Sequence, residues 1–172
     1  MTPDERREIY PPFIVREIEK ESSPGFQRTK VTDFLQLIRA IWVLSNKDYQ
    51  ERFWIRQELP IRGDNYMETM EEFLSTGRGV LKENKEDLIE MSSKQRKMLQ
   101  KLYSMIDAFT EDPKTPGSDY GENDEAIVND PNWQKIGEYG KLVYEELSGD
   151  DLEKWEKSRL KQQTNKPLDH KT

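Results

Sequence analysis

Between Glu111 and Asp130 this chain gathers seven acidic residues, Glu111, Asp112, Asp119, Glu122, Asp124, Glu125 and Asp130, against one basic residue, Lys114. The surrounding stretch, 110–133, reads TEDPKTPGSDYGENDEAIVNDPNW. Carboxylates at this density could ligate a metal, carry out acid–base chemistry or face a basic partner. A calcium loop of the EF-hand type needs oxygen ligands at alternate positions, glycine at the sixth and glutamate at the twelfth. Counting from Asp112 puts Gly117 sixth, but Lys114 and Pro116 then occupy ligand positions and Asn123 is twelfth. Counting from Asp119 puts Gly121 third and Asp124 sixth. Neither register fits, and no metal is expected.

Other chemistry finds little to work with. The chain has no cysteine, and its single histidine, His170, lies two residues from the C-terminus. Thiol and imidazole nucleophile arrangements and His/Cys zinc sites are therefore not expected. No glycine-rich phosphate loop is present. With 34 Asp and Glu residues some carboxylate pair always looks plausible for acid–base work, and nothing singles one out. The expectation is a non-catalytic protein without a cofactor. Arg-Gly-Asp at 62–64 reads structurally: Gly63 breaks the chain and Asp64 caps a helix.

The acidic segment sits in a chain of 172 residues with a net charge of −7, 35% charged and 33% hydrophobic residues. That composition suits amphipathic helices with wide solvated faces. The charge repels phosphate backbones and attracts a basic protein. The N-terminus lacks a signal-peptide apolar run, and the longest apolar run, 40–44, is far too short for a bilayer. A cytoplasmic protein is expected, binding neither membrane nor nucleic acid.

The elements that must position these residues are helical by spacing. Residues 1–30 form an N-terminal arm, with Ile9, Tyr10, Phe13, Ile14, Val15 and Ile18 able to dock. A helix over 33–45, capped by Thr32 or Asp33, presents Phe34, Leu37, Ile38, Ile41 and Trp42. Asn46 caps a second helix, about 47–58. Asp64 caps a third over 65–75, which Gly77 and Gly79 stop. Asn84 opens a short one through Ile89. Ser92 and Gln95 have capping-box spacing before the clearest stripe, Met98, Leu99, Leu102, Met105, Ile106 and Phe109. Asp130 caps a helix with Pro131 at its first position, lined by Trp133, Ile136, Val143 and Tyr144. Gly137 and Gly140 inside it point to close packing. Asp150 or Asp151 opens a last helix, and the tail 161–172 is expected to be flexible. No run alternates convincingly. The prediction is an all-α, single-domain irregular bundle of about six or seven helices over 31–160, with Leu99, Leu102, Ile106, Trp133, Ile136 and Trp42 in one core.

Three stretches carry a family resemblance. Phe53-Trp54-Ile55-Arg56 ends a helix pair, Asp64, Tyr66 and Glu68 begin the next helix, and Asp130, Pro131 and Trp133 begin a late one. Together, over roughly 33–147, they resemble small immunity proteins of bacterial contact-dependent growth inhibition and related polymorphic toxin systems. The resemblance implies a non-catalytic protein that binds a cognate toxin domain, in many such systems a nuclease, whose phosphate-binding surface must be basic. An acidic surface can occupy such a groove and speed encounter. The partner surface expected on this basis is Asp119, Tyr120, Glu122, Asp124 and Glu125, with Asp64 and Glu68 at its edge. Arg56 is placed to pair with the acidic segment. The alternatives are an acidic loop that is only a spacer, and an α-helical adaptor or regulatory module with another basic partner.

Overall fold

The computed structural model describes residues 1–27, 30–82, 90–118 and 123–165, with side chains omitted at 30–32 and 163–165. Among the described residues there are nine α-helices and one π-helical segment, and no strand. The all-α class holds, with more helices than the six or seven expected. Asp119, Tyr120, Glu122 and the helix expected over 84–89 lie outside the described residues.

Two of the helices not expected come from the N-terminal arm, and a third is the short helix Asp124–Val128. Helices α1 (Pro3–Ile9) and α2 (Pro12–Glu21) each begin on a proline, where the missing N–H costs nothing. Ile9, Tyr10, Ile14 and Val15 are buried. The carboxylate of Asp150 accepts from the Phe13 amide at 3.0 Å and from the Tyr144 hydroxyl at 2.7 Å. Arg39 pairs with Glu21 at 3.0 Å, which holds the far end of α2.

Helix α3 (Lys30–Ser45) is the central element, packing against α5 (Tyr66–Lys82) and α8 (Pro131–Ser148), while α6 (Ser93–Glu111) packs on α5 and α8. Helix α3 starts at Lys30, so Asp33 lies in its first turn rather than capping it. Its long buried face reflects contact on several sides, with Leu37, Ile38, Ile41, Trp42 and Leu44 all inaccessible. Gly140 allows the close approach of α8: a Cβ there would stand 3.0 Å from Ser45 Cβ and 3.2 Å from Leu44 Cδ1. The six residues expected in one core are all in it.

Two glycines expected to stop α5 do not. Gly77 and Gly79 lie inside a helix that runs on to Lys82. Each costs about 1 kcal/mol relative to alanine, and the burial of Phe73, Gly77 and Val80 on one face outweighs that. The capping box of Ser92 and Gln95 and the Asp130 cap form as their spacing predicts. The last helix, α9 (Leu152–Asn165), is capped by Asp151, which accepts from Lys154 N at 3.0 Å; Asp150 is committed to the arm. Helix α9 continues through the first part of the tail expected to be flexible.

Candidate functional site

The second helix of the sequence reading is two elements. Asn46 caps α4 (Lys47–Tyr49), accepting from Tyr49 N at 2.9 Å, and the chain then widens into the π-helical segment Gln50–Ile55. The wider ring turns Gln50, Phe53 and Trp54 inward together, all buried. Trp54 is therefore core rather than an exposed anchor. Arg56 lies beyond, its Nε bound to Glu58 at 2.7 Å, and among the described residues it makes no ion pair with the acidic segment.

The loop that follows is built around Gln57, which takes a positive φ of 52°. Its amide nitrogen approaches the carbonyls of Phe53, Trp54 and Asp64 at 3.0, 3.1 and 3.1 Å, and its oxygen accepts from Gly63 N at 2.8 Å. Gly63 has a φ of +85°, the left-handed conformation that glycine adopts without strain. This lattice presents Asp64.

Asp64 is not the helix cap. Asn65 takes that role, accepting from Glu68 N at 2.8 Å. Asp64 instead accepts from the Tyr49 hydroxyl at 2.7 Å and the Asn65 amide at 3.0 Å. Asp124, in the short helix α7 (Asp124–Val128), reaches across the sequence to accept from Tyr66 N at 3.2 Å, satisfying a first-turn amide of α5. Thus two of the residues expected in a partner surface, Asp64 and Asp124, meet at the start of α5, with Glu68 exposed one turn along. Glu125 is exposed at the start of α7.

Burial raises the pKa of both aspartates, as desolvation disfavours the carboxylate. At Asp64 the hydrogen bonds from Tyr49 and Asn65 oppose the rise and the charge of Glu68 adds to it. At Asp124 the Tyr66 amide opposes it and the charge of Asp64 adds to it. Burial also pushes the Tyr49 phenol far up, so it remains a donor to Asp64.

Asp64 and Glu68 also border a cleft of about 300 Å³, with Glu72 beside them, Arg39 opposite, and Tyr10 and Tyr49 among its walls. The Arg39 charge is answered by Glu21. Among the described residues, none of Asp64, Glu68, Glu72 and Asp124 has a lysine or arginine within 4.0 Å. Glu72 was missed in the sequence, although its spacing of four from Glu68 puts both on one helix face. Gln57 carried no signal, because only the positive φ of this loop reveals its role.

The acidic segment is anchored on both sides of residues 119–122. Before them, Gly117 is buried, and its carbonyl accepts from the Tyr66 hydroxyl at 3.2 Å. A Cβ at Gly117 would collide with the Phe109 ring. After them, Ile127 and Val128 of α7 are buried in the core. Around these anchors, residues 111–114 and 125–126 are exposed. Among the described residues, no group of three or more His, Cys, Asp or Glu could hold a metal ion, and no helix is long and apolar enough to cross a membrane.

No family model matches the chain, and no curated protein or solved structure matches it either.

Proposed function

We propose that this protein binds a basic protein partner through the face that carries Asp64, Glu68, Glu72 and Asp124, together with Glu125 and, in the same acidic segment of the sequence, Asp119 and Glu122. The observation that carries the reading is the state of Asp64 and Asp124. Both are held in place by hydrogen bonds, both are disfavoured as anions by burial, and neither has a lysine or arginine within 4.0 Å among the described residues. A lysine or arginine from a partner would relieve that cost. Charged complementarity of this kind speeds encounter and fixes register.

Within that class, the resemblance of the helix pair and the two helix starts favours an immunity protein of a contact-dependent growth inhibition system. It would act in the cytoplasm, without catalysis of its own, by covering the basic active site of a cognate nuclease toxin. Tyr120 would add an amphipathic anchor of the type enriched at interface hot spots. The second reading is an α-helical adaptor for a different basic protein.

The test has two steps. The tagged chain is purified from its native source and what copurifies is identified; a basic nuclease domain supports the first reading, another basic protein the second. Binding kinetics are then measured at low and high salt for two charge-neutralised variants, Asp64→Asn/Glu68→Gln/Glu72→Gln/Asp124→Asn and Asp119→Asn/Glu122→Gln/Asp124→Asn/Glu125→Gln. Slower association with a flatter salt dependence is expected. Unchanged rates at both salts for both variants would remove the acidic face from the interface.

A further inference from the structure

A second cleft, of about 410 Å³, lies between the N-terminal helices and α9. Its size falls in the range of small-molecule sites. Its chemistry is the reverse of the acidic cleft: Arg7, Arg16 and Arg159 line it, with a single carboxylate, Glu19. In a chain of net charge −7, three arginines around one cavity are not what composition alone would place there.

The three arginines play different parts. Arg159 is committed to the protein. Its guanidinium bonds Glu156 at 2.7 Å, approaches the Glu8 carbonyl at 3.4 Å and lies 4.8 Å from the centre of the Trp155 ring. It fixes the ring as a wall and contributes positive field. Arg7 pairs at 3.4 Å with Asp4, whose side chain is 96% exposed, so solvent screens that contact and leaves it weak. Arg16 is exposed, lies 6.0 Å from the centre of the Phe13 ring, and has no carboxylate within 4.0 Å among the described residues. Below these charges the walls are apolar, from buried Tyr10 and Val15, with half-buried Trp155.

We infer that this cleft binds a small organic oxyanion, a carboxylate or phosphate on a flat apolar body, with Arg16 and Arg7 on the anionic head and the body against Trp155. The guanidinium fork matches both head groups. An aromatic wall suits a planar body. Ser158 and Gln162, also in the lining, offer further donors on α9. A ligand seated here touches α1, α2 and α9 together.

The test uses the full chain, phenyl phosphate and benzoate as probes, and the backbone and indole N–H resonances in NMR titrations. Saturable shifts of the Trp155 indole N–H and of Arg16, Ser158 and Gln162 are expected for phenyl phosphate, benzoate or both. Arg16→Gln, which breaks no ion pair among the described residues, should weaken binding about tenfold. Arg16→Lys should recover only part of it. Benzyl alcohol, which keeps the body and loses the charge, should bind far more weakly, as should inorganic phosphate, which keeps the charge and loses the body. An unperturbed spectrum with both aromatic anions would overturn the proposal. So would equal binding by benzyl alcohol or inorganic phosphate, or undiminished binding by an Arg16→Gln variant that melts like the parent.

Discussion

The indole N–H of Trp133 donates to the side-chain oxygen of Gln50 at 3.0 Å inside the core. The other end of the same carboxamide donates to the carbonyls of Val43 and Leu44 at 2.8 and 2.9 Å. One buried amide thus joins the π-helical segment, the end of α3 and the start of α8. Gln50→Leu is close in size but takes the partner from the Trp133 indole N–H and one donor each from the carbonyls of Val43 and Leu44, of which Val43 keeps the Asn46 amide. A loss of about 1–3 kcal/mol is expected, since a buried polar group without a partner forfeits its solvation. Urea unfolding of the variant against the parent measures it, and an unchanged midpoint would contradict it.

Leu102 is fully buried at the centre of the α6 stripe. Leu102→Ala should cost about 2–5 kcal/mol, the lost transfer energy plus that of the cavity left behind. The same unfolding measurement applies.

Two glycines give opposite expectations. At Gly117 an added methyl has no room beside Phe109 and the Tyr66 hydroxyl, so Gly117→Ala should destabilise the fold and displace the acidic segment. At Gly79, in the last turn of α5, nothing among the described residues lies within 4 Å of the added methyl. Gly79→Ala should raise stability by about 1 kcal/mol, because alanine gives up less backbone freedom in a helix. Melting temperatures that move in opposite directions would bear out both.

Asp64 and Asp124 predict a pH effect. Both have folded pKa values raised above 3.8, so the folded state holds protons more tightly than the unfolded chain. Their contribution is fully present below the unfolded value and is lost as pH rises through the raised folded values. Stability should therefore be less favourable from these two sites at neutral pH than in that acidic window. The Asp64→Asn/Asp124→Asn variant keeps an acceptor for Tyr49 and for Tyr66 N, and its stability curve should lose this fall. Unfolding measured at steps across the window decides it; parallel curves for variant and parent would sink the assignment.

Where local chemistry decides the structure, the sequence is legible. The Ser92–Gln95 box, the Asp130–Pro131 start and the α6 stripe each rest on contacts within a few residues. The choice of Asn65 over Asp64, and of Asp151 over Asp150, is not of that kind. Each pair offers two adequate caps, and the one left over is drawn away by a distant group, Tyr49 in one case and Phe13 with Tyr144 in the other. The run of α5 through Gly77 and Gly79 likewise depends on burial against elements elsewhere in the chain. At the candidate site, Asp64, Glu68 and Asp124 could be named from charge and motif. That Asp124 reaches the first turn of α5, and that Glu72 and Arg39 share the cleft, needed the fold.

The Asp150 bridge to Phe13 makes the connection between α2 and α3 dispensable as a tether. Helices α1 and α2 are gripped by Asp150, by Arg159 at the Glu8 carbonyl, by Arg39 at Glu21 and by four buried apolar side chains, none of which depends on residues 22–27. A protease cut between Ser23 and Gly25 therefore leaves two fragments that remain one particle on a sizing column and separate only in denaturant. On the same grounds residues 1–21, supplied as a free peptide, are expected to complement a chain that lacks them.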